Sequence, residues 1–187
     1  KLSVVIISKN EEEFIADAVK SALFADEVLV LDSGSIDATC EIAQNLGAKV
    51  LYQDWLGFGA QKNKAVELAK NDWVFVLDSD ERITDELQLE ILNTLKNPTA
   101  EGYHTARLNN FFGKNIRHCG LYPDYSIRLF NKSKSKFNEV SVHESVQVKG
   151  TTAKLKNHMI HLAFNTVSEF TDKQKKYAEL SQKNRNL

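Results

Sequence analysis

The 187-residue sequence predicts an α/β fold with a mostly parallel central sheet. Three features predict it. Apolar, β-branched runs recur along the first half, as expected of strands covered on both faces. Between them lie stretches whose apolar residues repeat at helical spacing. Strand then helix, four times over, is the mark of a parallel sheet wound with helices.

Leu2-Ser3-Val4-Val5-Ile6-Ile7 is the first buried-strand run. Asn10 then opens a helix, with Glu13 completing a capping box and Phe14, Ile15, Ala18, Val19 and Ala22 on one face. Val28-Leu29-Val30-Leu31 is the second strand. Ser35 caps the next helix, whose stripe is Ile36, Cys40, Ala43 and Leu46 and whose end is Gly47. Lys49-Val50-Leu51-Tyr52 makes a third strand. A loop with Trp55, Gly57 and Gly59 follows, then a helix to about Lys70. Trp73-Val74-Phe75-Val76-Leu77 is the fourth strand and the most apolar. Thr84 caps a helix carrying Leu87, Ile91, Leu92 and Leu95, which stops ahead of Asn97-Pro98. After Pro98, Tyr103 to Leu108, Ser126 to Phe130, Val140 to Val148 and Ala153 to Ile160 alternate more and predict antiparallel or mixed strands. Phe164 to Asn184 reads as a polar helix. The whole is one domain: residues 1–98 form a ligand-binding half, 99–163 a smaller mixed half, and 164–187 a terminal helix.

Composition narrows the function. With 24 basic and 25 acidic residues the net charge is −1, which argues against a general nucleic-acid binder. Basic residues gather late, at Lys132, Lys134, Lys136, Lys173, Lys175, Lys176, Lys183 and Arg185. That cluster suits a solvated helix face or a peripheral contact with anionic lipid headgroups. Cys40 and Cys119 are far apart and fit reduced thiols, one of them buried, in a cytoplasmic protein. No apolar stretch approaches membrane-spanning length, and no signal peptide is seen. The chain begins without Met and ends inside a helix-like stretch, the pattern expected of a piece of a longer protein.

Three strand ends carry polar clusters: Ser8-Lys9-Asn10-Glu11, Asp32-Ser33-Gly34-Ser35-Ile36-Asp37, and Asp78-Ser79-Asp80 followed by Glu81. All fall on the carboxyl edge of one sheet, where open α/β sheets bind ligands. Two carboxylates one residue apart repel unless something positive sits between them. A hard divalent cation carrying a nucleotide diphosphate is the natural occupant; solvated turn residues or a helix cap are the alternative. Asp32 is placed to accept from an N–H of a base, Glu11 to take ribose hydroxyls, and Asp80 to hold the metal. Turn and cap roles for Asp32 to Asp37 are compatible with that. Trp55 and Phe58, flanking Gly57, suit stacking on a sugar ring or plain core packing.

The ordered set SVVIISKNEEE, EVLVLDSGSIDAT and GFGAQKNKAVELAKNDWVFVLDSDE resembles the nucleotide-binding half of family 2 glycosyltransferases of the GT-A fold. YPDYSIRLFNKSKSKFNEVSVHESV followed by IHLAF is similar to bacterial members that glucosylate the lipopolysaccharide inner core. The resemblance implies a nucleotide-sugar donor (a UDP-hexose), Mg2+ or Mn2+, and inversion at the anomeric carbon. It implies a saccharide or lipid-linked acceptor and work at the inner face of the cytoplasmic membrane. Carried over by position, Ser8, Asn10, Glu11, Asp32, Ser33, Gly34, Asp78, Ser79 and Asp80 contact the donor, and Lys62 stands where many members have arginine. Lys62 then touches a phosphate or the donor sugar, or is a helix-surface lysine. Glu144 matches the general base imperfectly, with His143 where an acid pair is usual, and Asp124 competes for that role. Arg128 shares a strand face with Asp124 and binds a phosphate or pairs with a carboxylate. His161 completes the metal shell beside Asp80, or is a hydrogen-bonded structural residue.

Rival classes fit less well. A haloacid-type phosphatase needs Thr or Val where Arg82 stands, and a nucleotidyltransferase needs a basic first loop rather than Glu11-Glu12-Glu13. The remaining alternative is a non-catalytic nucleotide-sugar-binding module of the same fold.

Overall fold

The computed structural model describes residues 1–138, 144–164 and 171. In chain order the elements are β1 (Leu2–Ser8), α1 (Ile15–Ala22), β2 (Glu27–Asp32), α2 (Thr39–Asn45), β3 (Lys49–Tyr52) and α3 (Phe58–Leu68). There follow β4 (Trp73–Asp78), β5 (Glu81–Ile83), α4 (Asp85–Thr94), β6 (Gly102–Phe111) and β7 (Lys114–Asn115). β8 (Asp124–Asn131), β9 (Ser135–Phe137), β10 (Val146–Val148) and β11 (Thr152–Phe164) complete them. The helix expected from Phe164 to Asn184 falls outside the described residues except for Phe164, which ends β11, and Thr171. So do Lys173, Lys175, Lys176, Lys183 and Arg185.

One sheet runs in the order β3-β2-β1-β4-β8-β6-β11-β5, with β7 on β6, and β9 pairs with β10 in a separate ribbon. β1, β2, β3 and β4 are parallel, and β8 turns the sheet antiparallel against both β4 and β6. The change of pattern after Pro98 is therefore a change of strand direction within one sheet. Among the described residues no helix is long and apolar enough to cross a membrane.

Both faces of the first four strands are covered, which is why they read as unbroken apolar runs. Val4, Ile6, Phe75 and Leu77 pack with Ile15, Val19, Leu87 and Ile91 of α1 and α4. Val5, Val74 and Val76 pack on the other face with Ala65 and Val66 of α3.

Two helix starts differ from expectation. Asn10 does not open α1, which begins at Ile15 without a side-chain cap. Asn10 sits at φ +56° and its Oδ1 accepts from Ile36 N–H in the next loop. Ser35 likewise does not cap α2: its hydroxyl donates to Asp32 and accepts from Asn10 N–H. Ile36 is 94% exposed, outside the stripe that Ala43 and Ile42 form. Both residues are spent on joining the β1–α1 and β2–α2 loops, and a local pattern cannot show that. Thr84 does cap α4, accepting from Leu87 N–H.

Along α4 the expected stripe is split, with Leu87 fully buried and Leu92 at 41% exposure. Leu87→Ala should cost about 2–5 kcal/mol, whereas Leu92→Ala should stay within about 0.5 kcal/mol. Equilibrium urea unfolding of the two variants checks this, and equal losses would contradict it.

Candidate functional site

The carboxyl ends of β1, β2 and β4 lie side by side. Ser8 is opposite Asp32 and Ile7 opposite Asp78, so Asp32 and Asp78 flank β1 at roughly 10 Å, two strand spacings. The Asp32 turn is densely bonded. Its Oδ2 accepts from Gly34 and Ser35 N–H, each at 2.8 Å, and its Oδ1 from the hydroxyls of Ser8 and Ser35. Burial opposes its charge, but these donors outweigh burial and hold the carboxyl below the usual range. Ser33 is tied in by Gln61, whose amide donates to its hydroxyl at 3.0 Å. Glu11 N–H donates to Thr39 Oγ1 at 2.7 Å, fastening the first turn to α2.

A second network begins at Asp78. Lys62 Nζ lies 3.0 Å from Asp78 Oδ1 and 2.9 Å from Glu144 Oε1. Arg128 reaches Asp78 Oδ2 with both terminal nitrogens at 3.2 Å and Glu81 Oε1 at 2.6 Å. Arg107 lies 3.8 Å from Glu81 and donates to Asp124 at 2.6 Å. Charges thus alternate along Glu144, Lys62, Asp78, Arg128, Glu81, Arg107 and Asp124. Burial pushes the Asp78 carboxyl up, yet Lys62 and Arg128 bring it far below its ordinary value. Burial likewise opposes charge on Lys62 and Arg128, and their acid neighbours reverse the effect. Glu81 is fully buried; burial, with Asp78 and Asp80, pushes it up against the pull of Arg128.

Asp80 stands apart from that chain. β5 pairs antiparallel with β11, setting Glu81 opposite His161, and Leu162 N–H donates to Asp80 O at 2.8 Å. Asp80 Oδ2 thereby comes within 3.3 Å of His161 Nε2. His161 Nδ1 meets Asn109 Oδ1 at 2.7 Å, and the Asn109 amide nitrogen donates to Leu121 O. Arg82 secures the turn, donating to Ser79 O, Glu81 O and Phe14 O.

Several expectations change here. Lys62 is not a surface lysine: only 7% of its side chain is exposed, and it bridges two acids. Of the two roles open to Arg128, carboxylate pairing is the one seen. Arg128 does share the Asp124 side of β8: it is the residue skipped by a register shift opposite Tyr103 and His104, and its Nε–H donates to Ser126 Oγ at 3.1 Å. Asp124 and Arg128 are joined through Arg107 and Glu81. Trp55 and Phe58 are 46% and 53% exposed and stack edge to face, so they are not core. Cys40 is partly buried and Cys119 exposed. Sequence reasoning missed Glu81, Arg107 and Asn109. Its place directly after the D-x-D was a signal available for Glu81, which was given no role, whereas nothing local marked the other two.

The family model "Glycosyl transferase family 2" matches residues 3–147. The chain belongs to glycosyltransferase family 2. A glycosyltransferase of uncharacterised role from Rickettsia bellii is 37% identical over 153 residues, 78% of this chain and 52% of that protein. The lipopolysaccharide core biosynthesis glycosyltransferase LpsC of Rhizobium meliloti is 27% identical over 96% of this chain and 69% of its own length. The chain thus spans about half the length of the rickettsial relatives it matches. Among solved structures, S. aureus TarS 1-349 in complex with UDP-GlcNAc aligns with TM-score 0.64 at 17% identity, covering 89% of this chain and 59% of that one. Glucosyl-3-phosphoglycerate synthase from Mycobacterium tuberculosis, with Mn2+, UDP and product, aligns with TM-score 0.53 at 21% identity, covering 71% and 57%. The fold of this family 2 chain is that of the GT-A glycosyltransferases.

Asp32→Asn turns one acceptor of the turn into a donor and should cost roughly 1–3 kcal/mol at pH 7. Because the folded carboxyl titrates below its unfolded value, its contribution is complete above pH about 4 and fades as pH falls through the folded value. Urea unfolding of both proteins at pH 7 and pH 3 should show the gap narrowing in acid; a constant gap would contradict it.

Proposed function

We propose that this chain carries the donor site and general base of an inverting, divalent-metal-dependent glycosyltransferase. It moves a hexose from a UDP-sugar to a saccharide or lipid-linked saccharide acceptor in cell-envelope polysaccharide or lipopolysaccharide synthesis. The observation that carries this reading is the meeting of Asp80 with His161. His161 Nδ1 lies 2.7 Å from Asn109 Oδ1, and its Nε2 lies 3.3 Å from Asp80 Oδ2. A carboxylate and an imidazole side by side are groups that a divalent cation takes, and an oxygen acceptor behind the imidazole, here Asn109 Oδ1, is the kind of partner that orients such a ring. The carboxylate oxygen suits Mg2+ or Mn2+, and the imidazole adds a nitrogen donor beside it. The chain of ion pairs holds four acids against three bases, a formal excess of one negative charge that Asp80 and the adjacent Arg82 together leave unchanged. These residues fit the group.

Solved structures of like fold support the donor and the metal: TarS in complex with UDP-GlcNAc, and the mycobacterial synthase in complex with Mn2+ and UDP. The name of LpsC supports the envelope assignment. A divalent cation on Asp80 and His161 would neutralise charge developing on the departing diphosphate. The first-strand and second-strand turns, with Ser8, Asn10, Glu11, Asp32, Ser33 and Gly34, receive the nucleoside. Glu144 takes the acceptor hydroxyl's proton as its oxygen attacks the anomeric carbon from the face opposite the leaving group. Asp124 is the weaker candidate for the base, since its Oδ2 already accepts two bonds from Arg107.

Calorimetry tests the metal reading. Asp80→Ala should abolish the Mn2+-dependent gain in UDP affinity, and Asn109→Ala should reduce it roughly 10–100-fold. Undiminished affinity in Asp80→Ala would contradict the site. Glu144→Gln separates an enzyme from a binding module: turnover should fall about 10²–10⁴-fold while UDP binding persists, and unaltered turnover would remove Glu144 from the mechanism.

A further inference from the structure

On one face of α3, at spacings of three and four, stand Gly59, Lys62 and Asn63. Between them they meet Phe137, Asn138 and Glu144. A Cβ on Gly59 would lie 2.3 Å from Asn138 O and 3.6 Å from Glu144 Cβ, so only glycine allows that approach. Asn63 pairs with both backbone groups of Phe137, donating to its carbonyl at 3.0 Å and accepting from its N–H at 2.8 Å. Lys62 lies over the Phe137 ring and shares its ammonium between Glu144 and Asp78. Gln61, one residue away, instead reaches Ser33 in the Asp32 turn.

Building on the glycosyltransferase reading above, we infer that this face of α3 positions the general base, with Lys62 as a positioning residue rather than a donor ligand. Its ammonium fixes the Glu144 carboxylate relative to Asp78, Asn63 holds the Phe137 backbone against the helix, and Gly59 lets Asn138 and Glu144 approach it. α3 therefore sets acceptor-side and donor-side groups in one frame, Gln61 serving the nucleoside turn and Lys62 the base.

Hydrolysis of a UDP-sugar reads this without knowledge of the acceptor. The water oxygen bonds to the anomeric carbon, the bond to the diphosphate breaks with its electron pair leaving on UDP, and the water proton passes to Glu144. The probe is whichever of UDP-glucose and UDP-GlcNAc the wild-type protein hydrolyses. Lys62→Met should lower kcat on the order of 100-fold with KM for the sugar nucleotide within about threefold, since a displaced group costs turnover rather than binding. Lys62→Arg should recover part of the loss. Gly59→Ala, which leaves the ammonium in place, should also lower kcat in a protein that still binds UDP, and it carries the test if Lys62→Met does not fold. A loss carried by KM, a Lys62→Arg variant no better than Lys62→Met, or wild-type kcat in Gly59→Ala would overturn the inference. A Glu144→Gln variant as fast as wild type would remove Glu144 from the mechanism and this inference with it, and a wild-type protein that hydrolyses neither sugar nucleotide would remove the UDP-hexose donor reading on which the inference rests. An inactive Glu144→Gln beside a fully active Lys62→Met would overturn this inference alone.

Discussion

Asp78 between Lys62 and Arg128 is the interaction on which the rest of the site depends. A carboxylate at the end of a buried strand gives up several kcal/mol of hydration, and so does each cation brought to meet it. The arrangement holds because every charge has an opposite neighbour: Lys62 turns to Glu144, Arg128 to Glu81, and Glu81 also accepts from Asp78 N–H. Removing one member would leave the others charged and unmatched. Such networks define a geometry more than they add stability.

That geometry divides the two acids of the D-x-D. Asp78 faces inward and is saturated by protein cations, so it is a structural centre. Asp80 faces the other way and meets His161, because β5 carries it against β11. Three residues of strand, Glu81-Arg82-Ile83, thus do two things. Glu81 anchors the ion pairs, and the pairing with β11 brings an imidazole from the far end of the chain to the acid. The Asp32 turn is built separately, from backbone N–H groups and hydroxyls around its carboxylate. α3 touches both.

Strands β1, β2 and β4 were legible because burial on both faces leaves continuous apolar runs. Their order then placed Ser8, Asp32 and Asp78 on one edge. Helix starts were not legible where Asn10 and Ser35 serve each other's loops, since those bonds span 25 and 26 residues. β5 was invisible because two of its three residues are charged and its partner strand lies at the other end of the chain. Lys62 occupies an amphipathic helix, so its burial follows from the acids that meet it and from no local pattern. Arg128 was legible as a neighbour of Asp124 on one face, but the register shift at its position leaves little mark on composition. The fold is written in periodicity; the ion pairs are written in long-range contacts.

The most direct measurement is an anomalous difference map at the manganese edge from crystals grown with Mn2+ and UDP. The division between Asp78 and Asp80 predicts a single site contacting Asp80 and His161, with Lys62 and Arg128 still on Asp78. Manganese bound by Asp78 with those cations displaced, or bound away from both acids, would contradict it.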